Sequence, residues 1–324
     1  MLYGNYEFVC RFEDEAHLPP FKGATVRGLL GHALRRVVCA LKRQACETCL
    51  LRDDCLFARM FVLPPPSNNA ASNTSVEPHP FVLEPPLEKK TVYQPGETIT
   101  IGLILFGELN RKLPYFVYAF DEMGRIGIGR RNDGRRGCFA LEQVLSGGQS
   151  VYDPAQGRIQ LPSLERLSLH GGFPPPAGTD LLEVDLKTPL RFKRNGRLHD
   201  DMPFEELVRL ALRRAASLLA AFGSGEPDLD YSGIVQRAAA VTTVANDLAW
   251  ADWERYSSRQ KRRMQLGGIV GRVSYAGELD EFLNLLAFAA RTHLGKNSSF
   301  GLGAIKLTPM PGHESRQLGK NGNE

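Results

Sequence analysis

Two histidines in this 324-residue chain sit where an imidazole could move a proton. Histidine suits general acid–base work because its unperturbed pKa lies near neutrality. His32 lies in "GATVRGLLGHALRR", off the stripe Val26–Leu30–Leu34–Val37, and Gly28 and Gly31 thin its face so that another chain could approach. A solvated helix histidine is the plainer reading. His293 falls in register with Leu279, Phe282, Leu286 and Ala290, which favours a core or capping imidazole near the last helical carbonyls. It also opens "HLGKNSSFGLG" (293–303), a glycine-rich loop that could face a ligand. His17, before "LPPFKG", reads as a loop residue. Lys22, Lys296 and Tyr256 are unranked candidates to assist by donating to a leaving oxygen or a phosphate.

Glycine lets backbone N–H groups approach a ligand without Cβ interference, and successive N–H groups form anion-binding concavities. In 293–303, Lys296 adds a charge, and Asn297, Ser298 and Ser299 add neutral donors and acceptors, with Gly301 and Gly303 closing the loop. A tight connection between helix and strand explains the same residues. The loop is not a Walker motif, and "GRIGIG" (124–129) follows a helix rather than a strand, the reverse of a dinucleotide fingerprint.

The net charge of +4 is mild, so its distribution matters more. "RYSSRQKRR" (255–263) and "KTPLRFKRNGR" (187–197) each hold five cations and no acid; "GRIGIGRRNDGRRG" (124–137) sets five arginines against one aspartate. Arginine and lysine contact phosphates and aromatic faces stack unpaired bases. That chemistry singles out Arg255, Tyr256, Arg259, Lys261, Arg262 and Arg263, with Trp250 and Trp253 upstream and Arg27 from the first helix. Trp250 is equally compatible with a core position.

Cys39, Cys46, Cys49 and Cys55 form C-x6-C-x2-C-x5-C. Four thiolates can complete a tetrahedral zinc site; unmetallated thiols and an iron–sulfur cluster are the alternatives. A zinc here would be structural. Cys10 and Cys138 lie in strand-like apolar contexts and read as buried thiols.

These residues need a scaffold, and 43% apolar content excludes a disordered chain. The N-terminus carries acids where a secretory signal would be basic and then apolar, and no stretch could span a bilayer, so a soluble cytoplasmic protein is expected. Strands are predicted at 6–12, 98–107, 138–144, 181–192, 268–277 and 303–307. Helices are predicted from Gly23 and over 113–124, 203–222 and 279–295. "PPPSNNAASNTSVEPHP" (64–80) reads as a flexible loop and "HGGFPPPAGTD" (170–180) as a boundary. Each half runs β-α-β, β-α-β, the order of the split βαβ fold. The expected class is α+β: two tandem ferredoxin-like, RRM-like domains at 1–175 (with the cysteine-rich insertion) and 176–310, then a disordered tail at 311–324.

"LPPFKGATVRGLLGHALRR" (18–36), the cysteine segment, "LILFGELNRKLPYFVYAFDEMGRIGIGRR" (103–131) and residues 252–307 together resemble the CRISPR repeat-processing endoribonucleases of the RAMP superfamily. The resemblance implies an enzyme that binds CRISPR repeat RNA and cuts a precursor transcript once per repeat without a catalytic metal. Attack by the ribose 2′-hydroxyl would leave a 2′,3′-cyclic phosphate. It implies His32 as the catalytic histidine, and a glycine loop set against RNA backbone. CRISPR effector subunits are implied partners, and a non-catalytic guide-holding RAMP subunit is the alternative.

Overall fold

The computed structural model describes residues 1–42, 44–62, 77–169, 178–194, 196–252, 254–257 and 262–311. Most of the 64–80 loop, the centre of the 170–180 boundary stretch, the tail beyond 311, Trp253, Arg259 and Lys261 lie outside these residues. The chain forms two compact units: Met1–Arg166 with Ala221–Ser224, and Leu167–Ala220 with Gly225–Glu324.

The first unit runs β1 (Leu2–Phe12), α1 (Gly23–Val38), β2 (Phe81–Glu84), β3 (Thr98–Phe106), α2 (Leu113–Ile126) and β4 (Phe139–Ser146). The strands pair antiparallel in the order β4-β1-β3-β2, the ferredoxin-like arrangement. Two-residue alternation along β1 sends Tyr6, Phe8, Cys10 and Phe12 to one buried face. Val26, Leu30, Ala33 and Leu34 of α1 and Phe116, Phe120 and Met123 of α2 join that core, with Phe8 and Phe120 stacked at 3.8 Å. Tyr6 is fully buried; its hydroxyl donates to Asn110 Oδ1 at 3.0 Å, and burial pushes its pKa up to about 12.

The second unit repeats the plan with β5 (Thr179–Leu190), α3 (Phe204–Phe222), β6 (Thr242–Asn246), β7 (Gly268–Ala276), α4 (Asp280–Thr292) and β8 (Ile305–Pro311). Its order, β6-β7-β5-β8, is the same topology read from the other edge. Leu182, Val184, Leu207, Ala211, Phe282 and Leu286 are buried, and Phe204 meets Tyr275 and Phe282 edge-on. The fold is thus the expected pair of ferredoxin-like domains. Among the described residues no helix is long and apolar enough to cross a membrane.

Candidate active site

His32 is exposed on α1 because the helix spends its apolar stripe on the sheet and turns this position away from it. It lines a cleft of about 740 Å³ with Arg36, Arg125, Arg131, Arg135 and Arg136, against one carboxylate, Asp14. Its ring makes no hydrogen bond to another described residue. A smaller side hollow of about 430 Å³ continues past His32 to Arg35, Arg36, Cys39 and Lys42. The sequence reading counted the arginines of 124–137 as a charge cluster but did not assign them to His32. Arg36 lies four residues from His32 on the same helix, and the packing of α1 on α2 brings it to Arg125.

Three devices hold this cationic wall. Arg36 pairs with Glu122 at 2.8 Å, tying α1 to α2, and Arg125 pairs with Asp121 at 2.8 Å along α2. Beyond α2, Ile128–Asn132 and Arg135–Gly137 form a hairpin. Its turn residues Asp133 and Gly134 both adopt positive φ (49° and 81°), as the favoured two-residue Asp-Gly hairpin turn requires. Ile128 is buried as an anchor, whereas Arg130, Arg131, Arg135 and Arg136 are exposed. None of these four forms an ion pair with another described residue, so their charge is available to an anion. A low-dielectric cleft lined by one sign of charge concentrates a polyanion at its mouth.

The structure places the other candidates elsewhere. His293 is only 2% exposed, and its Nδ1 lies 3.1 Å from Leu302 O. It ends α4 with φ at 59°, so the fold encloses the ring that the sequence offered as catalytic. Arg214 of α3 reaches the same helix end, its Nε and Nη2 donating to Thr292 O at 3.1 and 2.6 Å.

The glycine loop is built into its own unit rather than open. The N–H groups of Lys296, Gly301 and Gly303 already donate to Arg191 O, Ser298 O and Pro189 O at 2.8, 2.8 and 3.1 Å. Ser298 and Ser299 are buried. A Cβ on Gly303, whose φ is 74°, would sit 1.8 Å from Leu294 O. Close backbone packing therefore accounts for this glycine, and the expected phosphate-binding nest is corrected at these three N–H groups. Asn297 takes a left-handed conformation, and the Lys296 side chain is exposed.

Arg27 is half-buried against Phe61 and Phe81, its guanidinium 5.0 and 5.8 Å from their ring centroids, away from the His32 face. Lys22 is fully buried, its Nζ donating to Glu88 O at 2.7 Å, and burial lowers its pKa. Arg255, Tyr256, Arg262 and Arg263 belong to a two-stranded ribbon whose register sets Arg255 opposite Met264 and Tyr256 opposite Arg263. Trp250 is 37% exposed and donates to Asp252 Oδ1 at 2.8 Å, so it is not a core residue. Cys10 is buried as expected, while Cys138 is half-buried in the His32 cleft.

Zinc is not supported. Among the described residues no group of three or more His, Cys, Asp or Glu side chains could hold a metal ion. Cys39 ends α1, Cys46 and Cys49 flank a single helical turn, and Cys55 precedes the helix Leu56–Phe61. Spacing along the chain thus does not become convergence in space. Burial, ahead of other causes, also raises the Cys46 pKa.

Two families match the chain: the N-terminal domain AF_1859_N over residues 1–164, and the CRISPR-associated endoribonuclease Cas6 over residues 184–305. An uncharacterised protein of Archaeoglobus fulgidus is 27% identical over 297 residues, covering 90% of this chain and 93% of its own. Among solved structures, Thermus thermophilus Cas6 (TTHB231) has a TM-score of 0.54 at 13% identity, covering 95% of this chain and 98% of the other. A chain of a partial Cas6-RT-Cas1–Cas2 complex has a TM-score of 0.60 at 13% identity; the match covers 95% of this chain and 46% of that one. The chain thus belongs to the family defined by the AF_1859_N N-terminal domain, which matches half of it, while its residues 184–305 match the Cas6 endoribonuclease family and its tandem ferredoxin-like fold is shared with solved Cas6 structures.

Proposed function

We propose that this protein is a metal-independent endoribonuclease that binds CRISPR precursor RNA and cuts it within the repeats. The observation that carries this reading is the exposed imidazole of His32 in a cleft with five arginines. The RNA brings its own nucleophile, so the protein needs to supply alignment, proton transfer and positive charge. His32 accepts the 2′-hydroxyl proton as the O2′–P bond forms. Arg131, Arg135 and Arg136 neutralise the charge gathering on the phosphorane oxygens. The P–O5′ bond then breaks, and the departing 5′-oxygen takes a proton from solvent in the open cleft. The products are a 2′,3′-cyclic phosphate and a 5′-hydroxyl.

Enclosed as it is, His293 is assigned a structural role in this scheme, holding the end of α4 to the glycine loop. Repeat RNA is the proposed partner. The ribbon carrying Arg255 and Arg263 and the exposed Lys296 are further proposed contacts on the second unit.

The test is cleavage of labelled repeat RNA in EDTA, natural or with a 2′-deoxy nucleotide at the cut. Cleavage of the natural RNA alone, with a cyclic phosphate end, is expected. His32→Ala should lower the cleavage rate by about 10²–10⁴, the span of general acid–base catalysis, with RNA affinity unchanged. Tight binding by the wild-type protein without cleavage would replace the enzyme with a guide-holding subunit; full activity in His32→Ala would remove His32 from the chemistry.

A further inference from the structure

A second hollow opens on the other side of the arginine hairpin. It measures about 570 Å³ and is lined by His17, Leu18, Pro19, Pro20, Thr25, Thr91, Gly129 and Arg130. Thr25, Leu29, His32 and Arg36 recur at four-, three- and four-residue steps, so they share one face of α1. The first lines this hollow and the other three line the His32 cleft. The two hollows thus lie along a single helix face of roughly 16 Å at 1.5 Å per residue.

Strand alternation parts Arg130 from Arg131, since neighbouring side chains there point to opposite faces. Arg131 lines the His32 cleft and Arg130 lines the second hollow. Gly129 makes this closeness possible: its φ is 90°, and a Cβ there would lie 2.3 Å from His17 O. His17 Nε2 lies 2.7 Å from Glu15 Oε1, and Glu15 also accepts from Gln94 Nε2 at 3.2 Å, so its charge is engaged beside the hollow. Arg130 has no such partner among the described residues.

We infer that this hollow is a second phosphodiester subsite, which holds the RNA strand one or two nucleotides from the bond cut at His32. Arg130 contacts the phosphate, His17 and Thr25 supply polar groups beside it, and the two prolines give the sugar or base an apolar rest. The inference rests on the proposed endoribonuclease reading. Arg130 acts in binding, not in the chemical step.

The test uses the full-length protein and repeat RNA blocked by a 2′-deoxy nucleotide at the cut, with single methylphosphonates walked across the flanking positions. Arg130→Gln is a surface substitution and should weaken binding about fivefold at 0.1 M salt, the loss of one single-strand phosphate contact relative to 1 M. One methylphosphonate near the cut should cost the wild type the same factor and cost Arg130→Gln nothing further. His17→Gln should weaken binding of the same RNA. Wild-type affinity in Arg130→Gln, or losses that add at every position, would overturn the subsite. The endoribonuclease reading is judged separately, by cleavage of natural RNA with and without His32; failure of the wild type to bind repeat RNA would overturn both.

Discussion

The arginine hairpin offers a quantitative check. Arg131, Arg135 and Arg136 line the cleft without ion pairs to described residues, so each can release one counterion from a bound RNA strand. For single strands, the logarithm of the binding constant falls with the logarithm of salt by about 0.7 per neutralised phosphate. Changing all three to glutamine should therefore flatten the slope by about 2. Referred to 1 M salt, that is an affinity loss of about 100-fold at 0.1 M, or roughly 2.7 kcal/mol. The assay is fluorescence anisotropy with 2′-deoxy-blocked repeat RNA from 0.05 to 0.5 M salt. Arg111, outside the cleft and paired with Glu108 at 3.1 Å, serves as the control through Arg111→Gln. A triple variant with the wild-type slope, or a control that shifts it equally, would refute placement of the RNA path along the hairpin.

His293→Ala should lower the melting temperature, through loss of a buried hydrogen bond and a cavity at the end of α4. Cleavage by the folded fraction should persist, and a selective loss of cleavage in a fully stable variant would reverse that assignment. Tyr6 supplies a pH signature: its pKa is raised to about 12 in the fold, so its stabilisation is complete below the unfolded value near 10. That contribution is lost as pH rises from about 10 through 12, at up to about 1.4 kcal/mol per pH unit. Denaturant unfolding at pH 9.5 and 11.5 should show a smaller alkaline loss in Tyr6→Phe than in wild type, and equal losses would contradict it.

Three of the four strands and both helices of each half were legible because apolar residues recur at 3.6 in α1–α4 and alternate along β1, whereas the short strands Phe81–Glu84 and Thr242–Asn246 were not predicted. That signal is local and survives in one sequence. His32 was legible for the same reason, as a polar residue off an apolar stripe. Burial of the glycine loop was less plain, since glycine serves a ligand and a close backbone approach alike; the contact of Gly303 with Leu294 O is set by chain folding. His293 carried both signals, and the register with Leu286 and Ala290 proved the better guide.

By itself the sequence determined the alternation of helices with strands in each half and the exposure of His32. Each depends on periodicity within a dozen residues. Only tertiary structure decided that Arg36 and Arg125 meet at His32, that Arg130 and Arg131 part to two hollows, and that four cysteines close in sequence do not gather. Those outcomes depend on how α1 packs against α2 and on how close Gly129 lets the hairpin come to His17. Such distances are set by the whole core, and no local spacing encodes them.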